Sequence, residues 1–343
     1  MNHRDAAESA VRVAFLRSRG YKIGKTVYIG RNVRIESSDV TIGNDVFILD
    51  NVVIKSPKVV IGSNTCIFRN VYIHALESFR TGMRGKISRN CSFKANRIRI
   101  DRDFWCNENA EIGGGGWKMP EANIDIGPFM HVGKDVHLNV CKPILLEGFS
   151  GIGMGCMLFT HGAGQGQSVM DGYTAVEAPI RVGKHVSLFT RVICDPGCVI
   201  EDGVLVGTGA YARGHLEKNG FYAGIPAKKK RVVVEDPPKK EDILKEYFGF
   251  EAGGEGVLTK KSGEAVLWFD REQECIEIFT ENKKTWTSRI DLKQNTIFGK
   301  ATVESEAFRD SMRRKGVILK PVGGYEFSKL NAFSLIEAGI ELW

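Results

Sequence analysis

Nine isoleucines set the first limit on what this chain can fold into. Ile23, Ile29 and Ile35, then Ile42, Ile48 and Ile54, then Ile61, Ile67 and Ile73 recur at spacings of six, six and seven, a period of 19. Glycine follows the first of each triplet, at Gly24, Gly43 and Gly62. An α-helix does not return to one face every six residues, because six steps at about 3.6 residues per turn fall out of register. Three short strands per coil do: a β-branched residue points inward once per strand, and a turn follows. The nine side chains then stack in three columns, one on each wall of a triangular prism, with the seventh residue absorbed at a corner. This is a parallel β-helix.

The period weakens over 74–111, where "SFRTGMRGKISRN" is rich in charge. It returns at Ile126, Val132 and Leu138, and again at Val182, Leu188, Cys194, Ile200, Val206 and Ala212 at a strict six. Gly127, Gly133, Gly153, Gly183 and Gly207 each follow an inward position, and they are expected to supply positive φ at the corners. Thirty-nine glycines against ten prolines fit repeated turns rather than disorder.

Residues 180–214 read "IRVGKHVSLFTRVICDPGCVIEDGVLVGTGAYARG", and "FYAGIPAKKKR" follows at 221–231. This stretch resembles the hexapeptide-repeat acyltransferases of the galactoside, maltose and xenobiotic acetyltransferase type. The shared features are IG-x-x-V-x-I repeats, a PG-x-x-I turn, a VG-x-G coil and a closing AG-x-PAK-x-x-R. "AGIPAK" at Ala223–Lys228 is the most specific of them. The likeness covers 20–231 as repeats and 150–231 with distinctive motifs. Ser187 stands where the family often has Trp, and Arg213-Gly214 replaces a Thr-Lys pair.

The resemblance implies a left-handed helix, a homotrimer, and acetyl-CoA or a similar thioester as donor in a groove between subunits. Each site would be shared between two chains. The implied activity is CoA-dependent O- or N-acyl transfer to a sugar, nucleotide-sugar or similar small acceptor. It places Thr190, Thr208 and Gly209 beside the pantetheine arm, and Lys228 and Arg231 on the CoA phosphates, where charge-assisted bonds suit cations.

Within "FTHGAGQGQSVMDGYTAVEAPI", His161 follows the inward Leu158 and opens a departure of about 18 residues, the place of the family's catalytic histidine. A hydroxyl or amine acceptor needs a base as it attacks a thioester, and imidazole titrates near neutral pH. Gly162, Gly164 and Gly166 are candidates for close passage of the donor. Glu177, Asp171 and Asn139 are candidate acceptors for the second ring nitrogen of His161. "GGGG" at Gly113–Gly116, followed by Trp117, is a candidate frame for the acceptor. His74, His131, His137, His185 and His215 are read as structural or solvent-facing.

Two other readings share the coil: a γ-class carbonic anhydrase-like zinc protein and a non-catalytic binding scaffold. No His-x4-His pair lies near a third histidine, so no metal site is expected. The eight cysteines are scattered without a CxxC pair and read as reduced thiols in the cytoplasm. No apolar run of 18 residues and no signal-peptide core is found, so no membrane span is expected. A net charge of +7 suits an anionic small ligand rather than marking a nucleic-acid binder.

The predicted organisation is a mainly β chain in three parts. Residues 1–20 form an amphipathic helix with Ala10, Val11, Ala14 and Phe15 on its apolar face and Gly20 as C-cap. Residues 21–234 form the β-helix. Residues 240–343 form a small α+β domain, in which a helix starts at a Ser305 cap and ends at Gly316.

Overall fold

The structure is a computed structural model, and it describes residues 3–162, 168–173, 176–233, 239–252, 258–262, 265–279, 287–314, 317 and 319–322. The chain divides into two compact units, Met1–Glu235 and Asp236–Leu342.

The first unit is a parallel β-solenoid. Its first inward column runs Ile23, Ile42, Ile61, Thr81, Ile100, Ile126, Leu146, Val182, Ile200, Leu216, each residue in ladder register with the next. The second runs Ile29, Ile48, Ile67, Ile87, Cys106, Val132, Ile152, Leu188, Val206, Tyr222. The third runs Ile35, Ile54, Ile73, Phe93, Ile112, Leu138, Leu158, Cys194, Ala212. Nearly every member is buried, and full burial of an aliphatic side chain contributes about 1.5–3 kcal/mol.

The coil runs unbroken through 74–111, where the period in the sequence weakens. Thr81, Ile87, Phe93, Ile100 and Cys106 carry the columns through it, while Arg80, Arg84, Lys86 and Arg97 sit on the outward positions and between strands. One expectation is corrected here: the glycines after inward residues do not supply positive φ. A Cβ on Gly24 would meet the Gly43 backbone at 2.5 Å, so these glycines let one coil lie against the next. Positive φ falls two residues later, on Thr26, Asn32, Asp45, Asn51, Asn64 and Asn70. Polar side chains bear it there because Asn and Asp tolerate the left-handed region.

At the corner between the second and third columns those residues form a ladder. The Nδ2–H of Asn32, Asn51 and Asn70 each donates to the Oδ1 of the next asparagine at 3.1 Å. Asn90 donates to Asn109 at 3.4 Å, and Asn109 ends the series on Asp135 at 2.9 Å.

Helix α1, His3–Ser18, closes the first coil. Its inner face is Ser9, Val13 and Leu16; Val11 and Phe15, expected to be apolar contacts, are 70% and 61% exposed. The reason is polar as well as apolar: the first coil presents unpaired backbone, and Ser9 Oγ accepts the Ile29 N–H at 2.8 Å while Arg12 donates to the Ile29 carbonyl at 3.2 Å. Gly20, at φ +86°, terminates the helix as expected.

The second unit holds a seven-stranded sheet, antiparallel except for its last pair. Helices α2, Lys240–Phe248, and α3, Val303–Arg314, accompany it. Leu244, Phe248, Leu267, Ile276, Ile290 and Phe308 share its core. The α3 cap is Thr302 rather than Ser305: Thr302 Oγ1 accepts the Ser305 N–H at 3.1 Å, and Ser305 Oγ accepts the Thr302 N–H at 2.8 Å. A reciprocal pair three apart satisfies both donors, so the helix begins earlier than a lone Ser cap allows. Gly316 lies outside the described residues. Among the described residues no helix is long and apolar enough to cross a membrane.

Candidate active site

The coil normally steps from the third column to the first in seven residues, as from Ile35 to Ile42. Ile73 to Thr81 and Leu138 to Leu146 take one residue more, and two steps are far longer, from Ile112 to Ile126 and from Leu158 to Val182. Both insertions leave the same corner two coils apart, which at about 4.8 Å per coil separates them by roughly 10 Å. The first carries Gly113–Gly116 and Trp117; the second begins at His161.

Thr160 fixes the departure of the second insertion. It is fully buried, and its Oγ1 donates to the Asn139 carbonyl at 2.8 Å. The same oxygen accepts the backbone N–H of Cys141 at 2.9 Å and of Lys142 at 3.2 Å. The chain returns through the Ala178 N–H, which donates to the Thr160 carbonyl at 2.9 Å. Between these points His161–Gly162 pairs antiparallel with Val176–Glu177, with His161 opposite Glu177.

His161 is half-buried, and its Nδ1 is buried with no hydrogen-bond partner among the described residues. Its Nε2 faces the tetraglycine loop so closely that a Cβ on Gly115 would lie 3.3 Å away. The same loop covers Asn139. A Cβ on Gly114 would be 2.3 Å from Asn139 Nδ2 and 3.4 Å from His137 Nε2, and one on Gly116 would be 2.5 Å from Cys141 Cβ. Gly114 and Gly116 also hold φ of +93° and +80°. Gly114 and Gly116 therefore bring backbone against Asn139 and Cys141 with no room for a side chain, and Gly115 lies close against His161.

Asn139 is an outward residue of the third face, in register with Gly113 on one side and Phe159 on the other, yet it is only 5% exposed. Its Oδ1 is likewise buried without a partner. His137, two residues earlier, holds the Glu111 carboxylate at 3.2 Å and lies 5.8 Å from the Phe159 ring. Sequence reasoning placed His137 among the structural histidines. Its i−2 spacing from Asn139 on one strand was the available signal that it shares this outward face.

Of the three candidate orienting groups, Glu177 stands directly across the hairpin from His161, but its carboxylate lies 3.6 Å from Lys142 Nζ. Lys142 also pairs with Glu121, and these carboxylates raise its pKa, the Glu121 hydrogen bond first. Asp171 ends an exposed 3-10 turn, Val169–Asp171. Gly164 and Gly166 lie outside the described residues, and Gly162 is exposed.

The expected donor residues sit at other edges. Thr190 and Thr208-Gly209 occupy the corner between the second and third columns, where the Gly209 N–H donates to the Thr190 carbonyl at 2.9 Å. Thr208 and Gly209 are exposed, and a Cβ on Gly209 would meet nothing within 4 Å. Lys228 and Arg231 lie on the exposed strand Lys228–Val232, antiparallel to Gly220–Ala223, with the Arg231 guanidinium 5.4 Å over the Phe221 ring. Within one chain the donor residues and His161 thus flank opposite edges of the third face rather than meeting.

Trp117 of the first insertion packs its ring 5.0 Å from His74. His74 in turn lies 3.4 Å from the Tyr72 hydroxyl. Among the described residues no group of three His, Cys, Asp or Glu side chains is placed to hold a metal ion. The cysteines are free thiols, and burial pushes Cys156 up to about 11, which keeps it protonated and unreactive.

No family model and no curated protein matches the sequence. Solved structures do. A maltose O-acetyltransferase from Clostridium difficile 630 aligns at 16% identity over 40% of this chain and 67% of its own, with a TM-score of 0.29. A mutant of AntD, an N-acyltransferase from Bacillus cereus in complex with dTDP and coenzyme A, aligns at 18% identity over 68% of this chain and 94% of its own, TM-score 0.25. A hexapeptide-repeat containing acetyltransferase from Vibrio cholerae O1 biovar eltor, complexed with acetyl coenzyme A, aligns at 13% identity over 66% and 78%, TM-score 0.21. These are proteins of the type that residues 180–231 resemble; the activity of this chain rests on its own residues.

Proposed function

We propose that the chain is a CoA-dependent O- or N-acyltransferase, with acetyl the expected group and a sugar, nucleotide-sugar or similar small molecule as acceptor. The observation that carries this reading is the pair of buried atoms His161 Nδ1 and Asn139 Oδ1, neither with a partner among the described residues, beside the glycine loop. A buried polar atom left unpaired costs about 1–3 kcal/mol, and such orphans are retained where a ligand or a reaction uses them. Here the orphans are the one imidazole at the mouth of an insertion and an amide beside it.

In the proposed step His161 Nε2 takes the proton of the acceptor hydroxyl or amine as that atom bonds to the acyl carbon. The carbon–sulfur bond then breaks, and the imidazolium returns the proton to the departing thiolate. A backbone N–H at the loop is the expected donor to the oxyanion. Asn139 and Glu177 are the proposed candidates for orienting the ring: Glu177 stands across the hairpin but is engaged by Lys142, and Asn139 Oδ1 is an acceptor that no described residue engages. Thr190, Thr208, Gly209, Lys228 and Arg231 are proposed to hold the donor, and their distance along the coil corners from His161 suits a site completed by a second copy in a homotrimer. Free buried thiols accord with the cytoplasm as its compartment.

The test is His161→Ala in an acetyl-CoA transfer assay. Turnover should fall about 10²- to 10⁴-fold, with CoA affinity retained by calorimetry. Unchanged turnover rules out this imidazole as the base.

A further inference from the structure

The third face carries a second feature beside the proposed base. Tyr72, His74 and Lys94 are outward residues of adjacent coils, and the first insertion folds Trp117 and Lys118 over them. The Lys94 ammonium stands 5.7 Å over the Tyr72 ring, and that of Lys118 stands 5.5 Å over Trp117. The two nearby carboxylates are already engaged: Glu36 with Lys55 at 3.2 Å and Glu111 with His137 at 3.2 Å. Neither Lys94 nor Lys118 has an ion pair with any described residue. Burial first, then the neighbouring Lys55 and Lys118 charges, hold His74 below its ordinary range, so its ring is neutral at pH 7.

The loop that bears Trp117 is the loop in which a Cβ on Gly115 would lie 3.3 Å from His161 Nε2. One short segment therefore joins the proposed base to an aromatic surface with two uncompensated ammonium groups. An indole face takes the C–H face of a sugar or a planar base, with burial as the driving force. Two lysines, as flexible point charges without the planar fork of arginine, suit the oxygens of a phosphate better than a single carboxylate.

We propose that Trp117, His74, Lys94 and Lys118 form an acceptor subsite for a phosphate ester of a sugar, whether a sugar phosphate or a nucleoside diphosphate sugar. As an acceptor subsite it rests on the acyltransferase reading above; as a phosphate-binding site it is tested separately from it.

The full chain, saturated with CoA, is titrated calorimetrically with UDP, glucose 1-phosphate and glucose. Binding of UDP or glucose 1-phosphate without matching binding of glucose, weakened as salt rises, is the expected result. UDP alone marks the nucleotide as the source, and comparable binding of both marks the phosphate. The Lys94→Ala/Lys118→Ala variant should bind at least tenfold more weakly while CoA affinity holds. Failure of both phosphate probes to bind, equal binding by the double variant, or displacement of UDP by CoA overturns the subsite. The readout is heat, not turnover. A His161→Ala protein that still transfers acetyl groups sinks the catalytic reading and leaves the phosphate site standing.

Discussion

The proposed role of His161 is sensitive to a single methyl group on the loop beside it. Gly115 carries no positive φ, so Gly115→Ala adds no backbone strain, but the new Cβ would press on Nε2 at 3.3 Å and on Cε1 at 3.4 Å. Displacement of a catalytic group by about 1 Å can cost 10²-fold. Gly115→Ala should therefore lower kcat by about 10- to 100-fold while Tm and CoA affinity change little. A variant with wild-type kcat would show that the loop does not bear on the imidazole. The position of His161 at the mouth of a long departure was legible in the sequence, because the hexad stops there and resumes only at Val182. The tetraglycine was visible but not its purpose. Gly114, Gly115 and Gly116 face Asn139, His161 and Cys141, which lie on later coils, and Gly113 faces Lys94 on an earlier one; no local pattern encodes such contacts between coils.

At the scale of the element, the asparagine ladder combines two requirements in one residue type. Asn70 holds φ +61°, accepts from Asn51 and donates to Asn90, each at 3.1 Å. Alanine keeps the left-handed strain, about 1–2 kcal/mol, and loses both amide bonds; glycine loses the bonds but relieves the strain. Urea unfolding should rank wild type above Asn70→Gly and Asn70→Gly above Asn70→Ala, with about 1–2 kcal/mol between the extremes. Equal losses for the two variants would mean that the turn conformation contributes nothing. The inward columns were legible because isoleucine marks them nine times. They were lost over 74–111 where Thr81, Phe93 and Cys106 take inward places and arginines crowd the outward ones. The role of the glycines was misassigned for a related reason. Close coil-to-coil packing and positive φ both favour glycine, and spacing alone does not say which applies. The face of α1 was misread because its inner surface answers unpaired backbone through Ser9 and Arg12, a demand invisible to apolar periodicity.

For the whole molecule, the third face poses the question of assembly. Met157 and Ile193 are register neighbours on it and are 40% and 36% exposed; Met154 and Phe189, 47% and 42% exposed, sit at the corner bearing Thr190. The strip lies between that corner, which also bears Gly209, and the corner bearing His161. A contiguous apolar strip bordered by site residues is the kind of surface that a partner covers. A second copy seated there would bring its own donor corner toward this His161, which is what the proposed shared site requires. Under the proposed homotrimer the 38.0 kDa chain should sediment at three times that mass. Met157→Glu/Ile193→Glu places two carboxylates in the strip without touching the columns, so its circular dichroism should match wild type. It should sediment as a single chain and lose acetyl transfer, although His161 and Asn139 are intact. A wild-type monomer, or a monomeric variant with full turnover, would mean that one chain carries a complete site and that the donor residues must be sought nearer His161.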